Sequence, residues 1–125
     1  DITANNSTVN LILALSYSSK WEIVNAVKQI ASQIQNNEIK IKDINSRLIE
    51  KYLTTTNFPD PELMIRTSGE HRISNFLLWQ LAYAEFYFTD TLWPDFRKND
   101  FYQAILSFQN RERRFGKTSD QLNNN

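Results

Sequence analysis

Apolar residues alternate with polar turns along the chain, and their spacing predicts three strands and four helices. A nearly continuous apolar run over 9–15 is typical of a strand buried on both faces of a parallel sheet. A shorter apolar run predicts a strand over 62–66, and alternating residues predict another over 85–90. Apolar residues at helical spacing predict the four helices, over 20–35, 43–55, 75–84 and 99–115.

Polar residues stand where the predicted helices begin and end. Ser19 precedes Glu22 by three residues, which is the capping-box pattern of a helix start. Asp43 and Ser74 are candidate N-caps of the second and third helices. Gly116 is the expected residue just beyond the last helix.

The predicted element order is β-α-α-β-α-β-α. This order implies an α/β fold with a mainly parallel sheet flanked by helices. Three strands make a narrow sheet, so we expect residues 1–116 to be one portion of a larger domain. Residues 117–125 are polar, and we expect them to form a flexible tail.

Composition narrows the function classes. The 125 residues carry 14 basic and 14 acidic side chains, so the zero net charge argues against a nucleic-acid partner. The sequence contains no cysteine, which excludes disulfides and thiol catalysis, and its single histidine excludes a histidine-rich metal site. No apolar run approaches a membrane span and no signal-peptide pattern is visible, so we expect a cytoplasmic protein.

The strongest chemical signal lies over 66–75, between a predicted strand and a predicted helix. Arg66 ends the strand, and Arg72 and Ser74 come just before the helix. The guanidinium groups of two arginines match phosphate oxygens, and free N–H groups at a helix start favour anions. Gly69 permits a close approach of the backbone. The stretch therefore predicts an anion site, and a diphosphate suits it better than a carboxylate.

Each of these residues also has a purely structural interpretation. The two arginines of the stretch can pair with Glu70, Glu85 or Asp60 and only fasten the turn. His71 is either a solvated turn residue or a proton carrier. Glu85 needs a partner, which is either an arginine or a magnesium ion. The basic run over 111–114 is either a solvated helix end or contains one phosphate-facing residue.

Four stretches, over 66–80, 83–88, 92–96 and 111–116, carry a resemblance to a known family. They resemble the motifs of cis-prenyltransferases, in particular bacterial undecaprenyl diphosphate synthase, also called isoprenyl transferase. The likeness is dense over 59–116 and looser over 8–35.

This resemblance implies an activity and a set of partners. The activity is the successive cis addition of isopentenyl diphosphate to an allylic diphosphate such as farnesyl diphosphate, assisted by Mg²⁺. The product is undecaprenyl diphosphate, the lipid carrier of cell-wall synthesis. The family fold is a parallel sheet surrounded by helices, with a hydrophobic tunnel, and it works as a homodimer. A peripheral contact at the inner face of the membrane, through the lipid product, is also expected.

The resemblance also assigns roles to individual residues. It implies that Arg66, Arg72 and Ser74 bind isopentenyl diphosphate, with help from the backbone of Ile73. It makes Glu85 the magnesium-linked carboxylate.

Residues around this group receive supporting roles from the same resemblance. His71 and Glu70 flank the site. Arg114 and Gly116 form a terminal Arg-x-Gly element that reaches the diphosphate site across the dimer.

Two departures from the family pattern limit what this chain can do. The family's Asp-Gly-Asn-Gly-Arg-Trp motif, which holds the principal catalytic aspartate, is absent. We therefore expect the chain to be the carboxy-terminal half, without a catalytic residue and inactive alone. The family's Asn-x-Gly-Gly-Arg stretch is replaced over 16–20, and Lys20 receives no site role because lysine lacks the arginine fork.

Two other functions compete with the enzyme hypothesis. The chain could be a non-catalytic partner subunit of a heteromeric prenyltransferase, although the intact 66–75 stretch argues against it. It could also be a plain anion-binding or RNA-binding α/β domain, against which the zero net charge argues.

Overall fold

The computed structural model describes residues 2–112. Three α-helices and two strands form the fold, and two short 3₁₀ turns at Ile41–Asp43 and Trp93–Asp95 connect them. In chain order the elements are α1 (Ser19–Gln35), α2 (Ser46–Tyr52), β1 (Leu63–Arg66), β2 (Glu85–Phe88) and α3 (Lys98–Gln109).

The two strands pair in parallel, as the element order predicted. Leu63 lies opposite Glu85, and Arg66 lies opposite Phe88. The ladder continues past the strand ends, because Thr89 N donates to Arg66 O at 3.0 Å. The α/β class and the parallel pairing are confirmed.

The predicted strand over 9–15 is wrong. Within residues 2–112 this segment pairs with no neighbouring strand, and Leu11, Leu13 and Leu15 are 72–83% exposed. A strand needs a neighbour for its backbone N–H and C=O groups, and an apolar run is buried only where both faces are covered. Neither condition is met here.

The predicted helix over 75–84 is also wrong. The segment forms successive turns, and φ is +54° at Ser74, +62° at Asn75 and +47° at Leu77. This left-handed backbone cannot continue a right-handed helix. The segment instead bonds to the start of α1, where Leu78 N donates to Ser19 Oγ at 2.9 Å.

The first helix is confirmed, but its cap lies one residue earlier than predicted. Ser18 is the N-cap, and its Oγ accepts from Trp21 N at 3.3 Å. Ser19 is the first helical residue and is fully buried. Glu22 therefore does not complete a capping box with Ser19.

The second and fourth predicted helices are shorter than expected. Asn45, not Asp43, caps α2 by accepting from Leu48 N at 3.0 Å. Asp43 instead closes the preceding 3₁₀ turn by accepting from Lys40 N at 3.1 Å. The helix predicted over 99–115 ends at Gln109, and Gly116 lies outside the described residues.

A buried polar cluster joins α1 to the loops that follow α2 and β1. Glu22 is 1% exposed and accepts hydrogen bonds from Thr54 N at 3.0 Å, Thr54 Oγ1 at 2.5 Å and Gln80 Nε2 at 2.9 Å. The hydroxyl of Tyr17 donates to Glu22 Oε1, the oxygen that also accepts from Gln80. Burial raises the pKa of Glu22, but the hydrogen bonds from Gln80, Thr54 and Tyr17 outweigh it, so the pKa lies below its usual value.

The apolar core around this cluster is small. Its buried residues lie on α1, just after α2, in the segment between the strands and on α3: Ala26, Ile30, Leu53, Leu81 and Ala104. None of the helices within residues 2–112 is long and apolar enough to cross a membrane.

Candidate functional site

The 66–75 stretch leaves the carboxyl end of β1 and folds over the segment that leaves β2. Ser68 N donates to Thr91 O at 2.9 Å, and Gly69 N donates to Thr89 O at 3.0 Å. Gly69 has φ +64°, and a Cβ there would lie 3.0 Å from Asp90 Oδ1. The positive φ favours glycine here, and the exposed side chain of Asp90 would have to shift slightly to make room for a Cβ. The stretch is therefore a fixed loop over the strand ends, as parallel α/β sites require.

Arg66 is the best-placed cation of this loop. It is half-buried at the end of β1, and its side chain forms no ion pair with any residue from 2 to 112. It lines an open groove of about 1150 Å³ that also contacts Trp93, Arg97 and Lys98. A guanidinium without a protein partner beside open space is a ready anion ligand.

A second, smaller cavity lies beside the same arginine. It has a volume of about 280 Å³. Apart from Arg66, its lining is entirely apolar: Met64, Ile65, Ile73, Phe76 and Leu81. Ile73, for which the resemblance implied a backbone role, is thus brought next to Arg66. Cation and apolar cavity together suit a ligand with a charged head and a short hydrocarbon tail.

Arg72 is held differently from Arg66. It forms an ion pair with Glu70, and the two side chains are 67% and 36% exposed. The structural interpretation, in which an arginine of the stretch pairs with Glu70, is therefore what the fold shows for Arg72. An exposed pair of this kind contributes only about 0–1 kcal/mol. The ion pair therefore holds Arg72 only weakly.

His71 lies on the exposed side of the loop and contacts β2 through its ring. Its ring centroid is 4.8 Å from that of Phe88, which stacks in turn on Phe86 at 6.0 Å. The aromatic contact holds the histidine at the same end of the sheet as Arg66.

Ser74 does not begin a helix, and the helix N-terminus nearest to it is that of α1. Asn75 connects the two. Ser19 N donates to Asn75 O at 3.0 Å, Lys20 N donates to Asn75 Oδ1 at 2.9 Å, and Asn75 Nδ2 donates to Ser18 Oγ at 2.8 Å. The first N–H groups of α1 are therefore satisfied by the loop itself.

These contacts identify residues that the sequence prediction missed. Ser18, Ser19 and Lys20 fix the end of the loop, although the sequence predicted no site role for them and only a helix cap for Ser19. The signal available in the sequence was their place in the stretch that replaces the family's Asn-x-Gly-Gly-Arg motif. The left-handed backbone at Ser74 and Asn75 had no sequence signal beyond the tolerance of asparagine for that conformation.

Glu85 lies away from Arg66, at the other end of the two-stranded sheet. It is the first residue of β2, beside Leu63, whereas Arg66 lies beside Phe88 at the other end. Three residues of strand correspond to about 10 Å. Because side chains alternate between the faces of a strand, Glu85 and Phe88 also lie on opposite faces. The structure therefore does not bring Glu85 together with Arg66.

The partner of Glu85 is an arginine. Arg111 Nη1 donates to Glu85 Oε2 at 3.0 Å and to the carbonyl of Phe86 at 2.8 Å. Of the two interpretations left open by the sequence, the arginine partner is the one that the structure shows. Arg114, in the same basic run, lies outside the described residues.

This chain can supply only part of a magnesium site. Residues 2–112 contain no cluster of three or more histidine, aspartate or glutamate side chains. Magnesium is commonly held by one or two carboxylates, with phosphates and water completing its shell. Among the described residues none donates a hydrogen bond to Glu85 Oε1, so Glu85 can offer one oxygen. The remaining ligands would have to come from a diphosphate, water or another part of the protein.

Comparison with known proteins now gives the family. A protein-family sequence model described as putative undecaprenyl diphosphate synthase matches residues 1–116. An isoprenyl transferase of Chlorobaculum tepidum is 53% identical over 125 residues, which are 100% of this chain and 47% of that protein. A ditrans,polycis-undecaprenyl-diphosphate synthase of Photorhabdus laumondii, named as specific for (2E,6E)-farnesyl diphosphate, is 54% identical over 117 residues, 94% of this chain and 46% of that protein.

A solved structure gives the same assignment at the level of the fold. The crystal structure of lavandulyl diphosphate synthase from Lavandula x intermedia, in complex with dimethylallyl diphosphate, matches 85% of this chain and 46% of that chain. The TM-score is 0.82 and the sequence identity is 42%. The chain spans about half the length of the curated relatives that it matches. It belongs to the undecaprenyl diphosphate synthase family of prenyltransferases, and the predicted resemblance is confirmed.

Proposed function

We propose that this chain supplies the isopentenyl diphosphate site of a cis-prenyltransferase. The complete enzyme would add isopentenyl diphosphate units to farnesyl diphosphate and make undecaprenyl diphosphate. The observation that carries the proposal is the half-buried guanidinium of Arg66, which has no protein partner within residues 2–112 and borders a small apolar cavity.

The two halves of this ligand match the two features of the site. The diphosphate would accept the forked N–H donors of Arg66. The five-carbon group would enter the cavity of about 280 Å³ between Ile73, Phe76 and Leu81. This arrangement fixes the orientation of the reacting double bond relative to the charged end. Orientation of this kind is a large part of what an enzyme supplies to a two-substrate reaction.

Arg72 and Ser74 would complete the grip from the loop. Arg72 is exposed and exchanges its weak pairing with Glu70 for the more highly charged diphosphate. The exposed hydroxyl of Ser74 donates to a phosphate oxygen. Glu70 then acts as a support that holds Arg72 in place before the substrate arrives, and His71 packs the loop against β2.

Magnesium and the second substrate complete the proposal. When bound, a magnesium ion neutralises charge that develops on a diphosphate leaving group, and Glu85 would contribute one of its ligands. We expect the residue that activates the allylic substrate to come from outside this chain, and Arg114 to reach a neighbouring subunit in a homodimer. We also expect peripheral contact with the inner face of the membrane through the lipid product.

The test is calorimetric titration of isopentenyl diphosphate into the complete gene product that contains this chain. The variant Arg66→Met removes charge-assisted hydrogen bonds that are each worth about 1.5–3 kcal/mol, so affinity should fall by about tenfold or more. The matched control is Arg47→Met, because Arg47 lies on the exposed surface of α2. Equal affinities for wild type and Arg66→Met would refute the proposal.

A further inference from the structure

We propose that Arg111 is the positioning residue for Glu85, and that it holds this carboxylate so that one oxygen is presented to a divalent cation. The inference rests on the proposed function only in taking Glu85 as a cation ligand. Among residues 2–112, Arg111 forms no hydrogen bond with the 66–75 loop at the other end of the sheet. The anion site proposed at that loop therefore gives Arg111 no role.

Arg111 contacts three acceptors at once. Nη1 bonds to Glu85 Oε2 at 3.0 Å and to Phe86 O at 2.8 Å, and Nη2 bonds to Ser107 Oγ at 3.4 Å. The first two acceptors belong to β2 and the third belongs to α3. The guanidinium therefore fastens the end of α3 to the first residues of β2.

Glu85 is fixed from two sides by its neighbours. Its backbone N donates to Glu62 O at 2.9 Å, which holds the main chain in the ladder. Its Oε2 is held by Arg111, and the two side chains are 34% and 29% exposed for Arg111 and Glu85. A partly exposed glutamate would otherwise sample several rotamers. Arg111 thus selects one orientation of the carboxylate.

The selected orientation leaves Oε1 available. No residue from 2 to 112 donates a hydrogen bond to that atom. Carboxylates that bind metal ions are generally hydrogen-bonded at one oxygen by an outer partner, and loss of the partner weakens metal binding by 10–100-fold. The Arg111–Glu85 contact has this arrangement, with arginine as the outer partner.

The positive charge of Arg111 sets the strength of the site. A guanidinium repels a cation bound to the same carboxylate, so a cation held by Glu85 alone should bind weakly. Lysine keeps this charge but cannot reach three acceptors with a rigid fork. The variant Arg111→Lys therefore removes the positioning and keeps the repulsion, and it isolates the role we propose.

The test uses Mn²⁺ alone as the probe, followed by residue-resolved NMR line broadening in the complete gene product. In the wild type, the amide signals of Glu85 and Phe86 should broaden as Mn²⁺ is added. In Arg111→Lys the same broadening should need about tenfold more Mn²⁺. The control Arg47→Lys should behave as the wild type. In the Glu85→Gln background, Arg111→Lys should have no further effect.

Three results would overturn the proposal. They are absence of broadening around residue 85 in the wild type, an unchanged Mn²⁺ requirement in Arg111→Lys, and an effect of Arg111→Lys that persists with Glu85→Gln. If Arg111→Lys does not fold, Arg111→Gln replaces it. This variant also removes the repulsion, so a rise in its Mn²⁺ requirement would come from lost positioning alone, and an unchanged or lower requirement would overturn the proposal. Failure of both variants to fold would show that Arg111 determines the fold instead. Isopentenyl diphosphate binding at Arg66 is measured separately and without metal, so failure of the proposed function is distinguishable.

Discussion

Replacement of Glu22 by glutamine probes the buried cluster that holds the loop segments together. Glu22 is 1% exposed and accepts four hydrogen bonds, from Tyr17, from the backbone and hydroxyl of Thr54, and from Gln80. The variant Glu22→Gln keeps the shape of the side chain. It replaces one acceptor oxygen by an N–H₂ group that faces two former donors.

The structure sets the size of this effect. Hydrogen bonds to a charged acceptor contribute about 1.5–3 kcal/mol each, and neutral ones about 0.5–1.5 kcal/mol. The Oε1 of Gln80 is buried and unpaired, so rotation of that amide can provide one new acceptor. We therefore expect a net loss of about 2–3 kcal/mol in the free energy of unfolding for Glu22→Gln. The control Glu38→Gln, at an exposed position, should change it by less than about 0.5 kcal/mol.

The pH dependence of this loss gives a second check. The pKa of Glu22 is depressed in the folded state, so its ionised form contributes stability above the unfolded value of about 4.3. That contribution disappears as the pH falls through the lower pKa of the folded state. The difference between wild type and Glu22→Gln should therefore be complete at pH 7 and shrink in acid. Urea unfolding followed by tryptophan fluorescence measures this difference. An equal difference at pH 7 and in strong acid would show that the ionised form of Glu22 is not what stabilises the fold.

Three further predictions concern the loop over the strand ends. Gly69→Ala should lower stability by about 1–2 kcal/mol because of its positive φ, and an unchanged melting temperature would contradict this. Asn75→Ala removes the side-chain hydrogen bonds to Ser18 and Lys20, so urea unfolding should show a loss of stability of about 1–2 kcal/mol. A loss below about 0.5 kcal/mol would show that these hydrogen bonds do not stabilise the fold. Glu70→Gln removes the ion pair that holds Arg72 before the substrate arrives, so calorimetry should show isopentenyl diphosphate binding that is weaker by up to about fivefold, whereas unchanged or tighter binding would mean that Glu70 does not support Arg72.

Elements whose signals are local were predictable from the sequence. The apolar stripe of α1 and the runs that form β1 and β2 each fix a conformation within a few residues. The position of Arg66 at a strand end followed directly, because it depends only on where β1 ends.

Elements that depend on distant partners were not predictable in the same way. The apolar run over 9–15 becomes a strand only where a neighbour supplies hydrogen bonds. Residues 75–84 have helical composition, but Asn75 and Leu78 bond to the start of α1, more than 50 positions away, and the backbone turns left-handed. Glu85 presented two possible partners in the sequence, and only the return of α3 along the strand selects Arg111.

The proposed binding of isopentenyl diphosphate by Arg66 and the cavity beside Ile73 is best tested by a crystal structure of the complete gene product with this molecule bound. We expect the diphosphate within hydrogen-bond distance of the Arg66 guanidinium, with the five-carbon group among Ile73, Phe76 and Leu81. A diphosphate bound elsewhere, with Arg66 making no contact to it, would show that Arg66 is not its ligand.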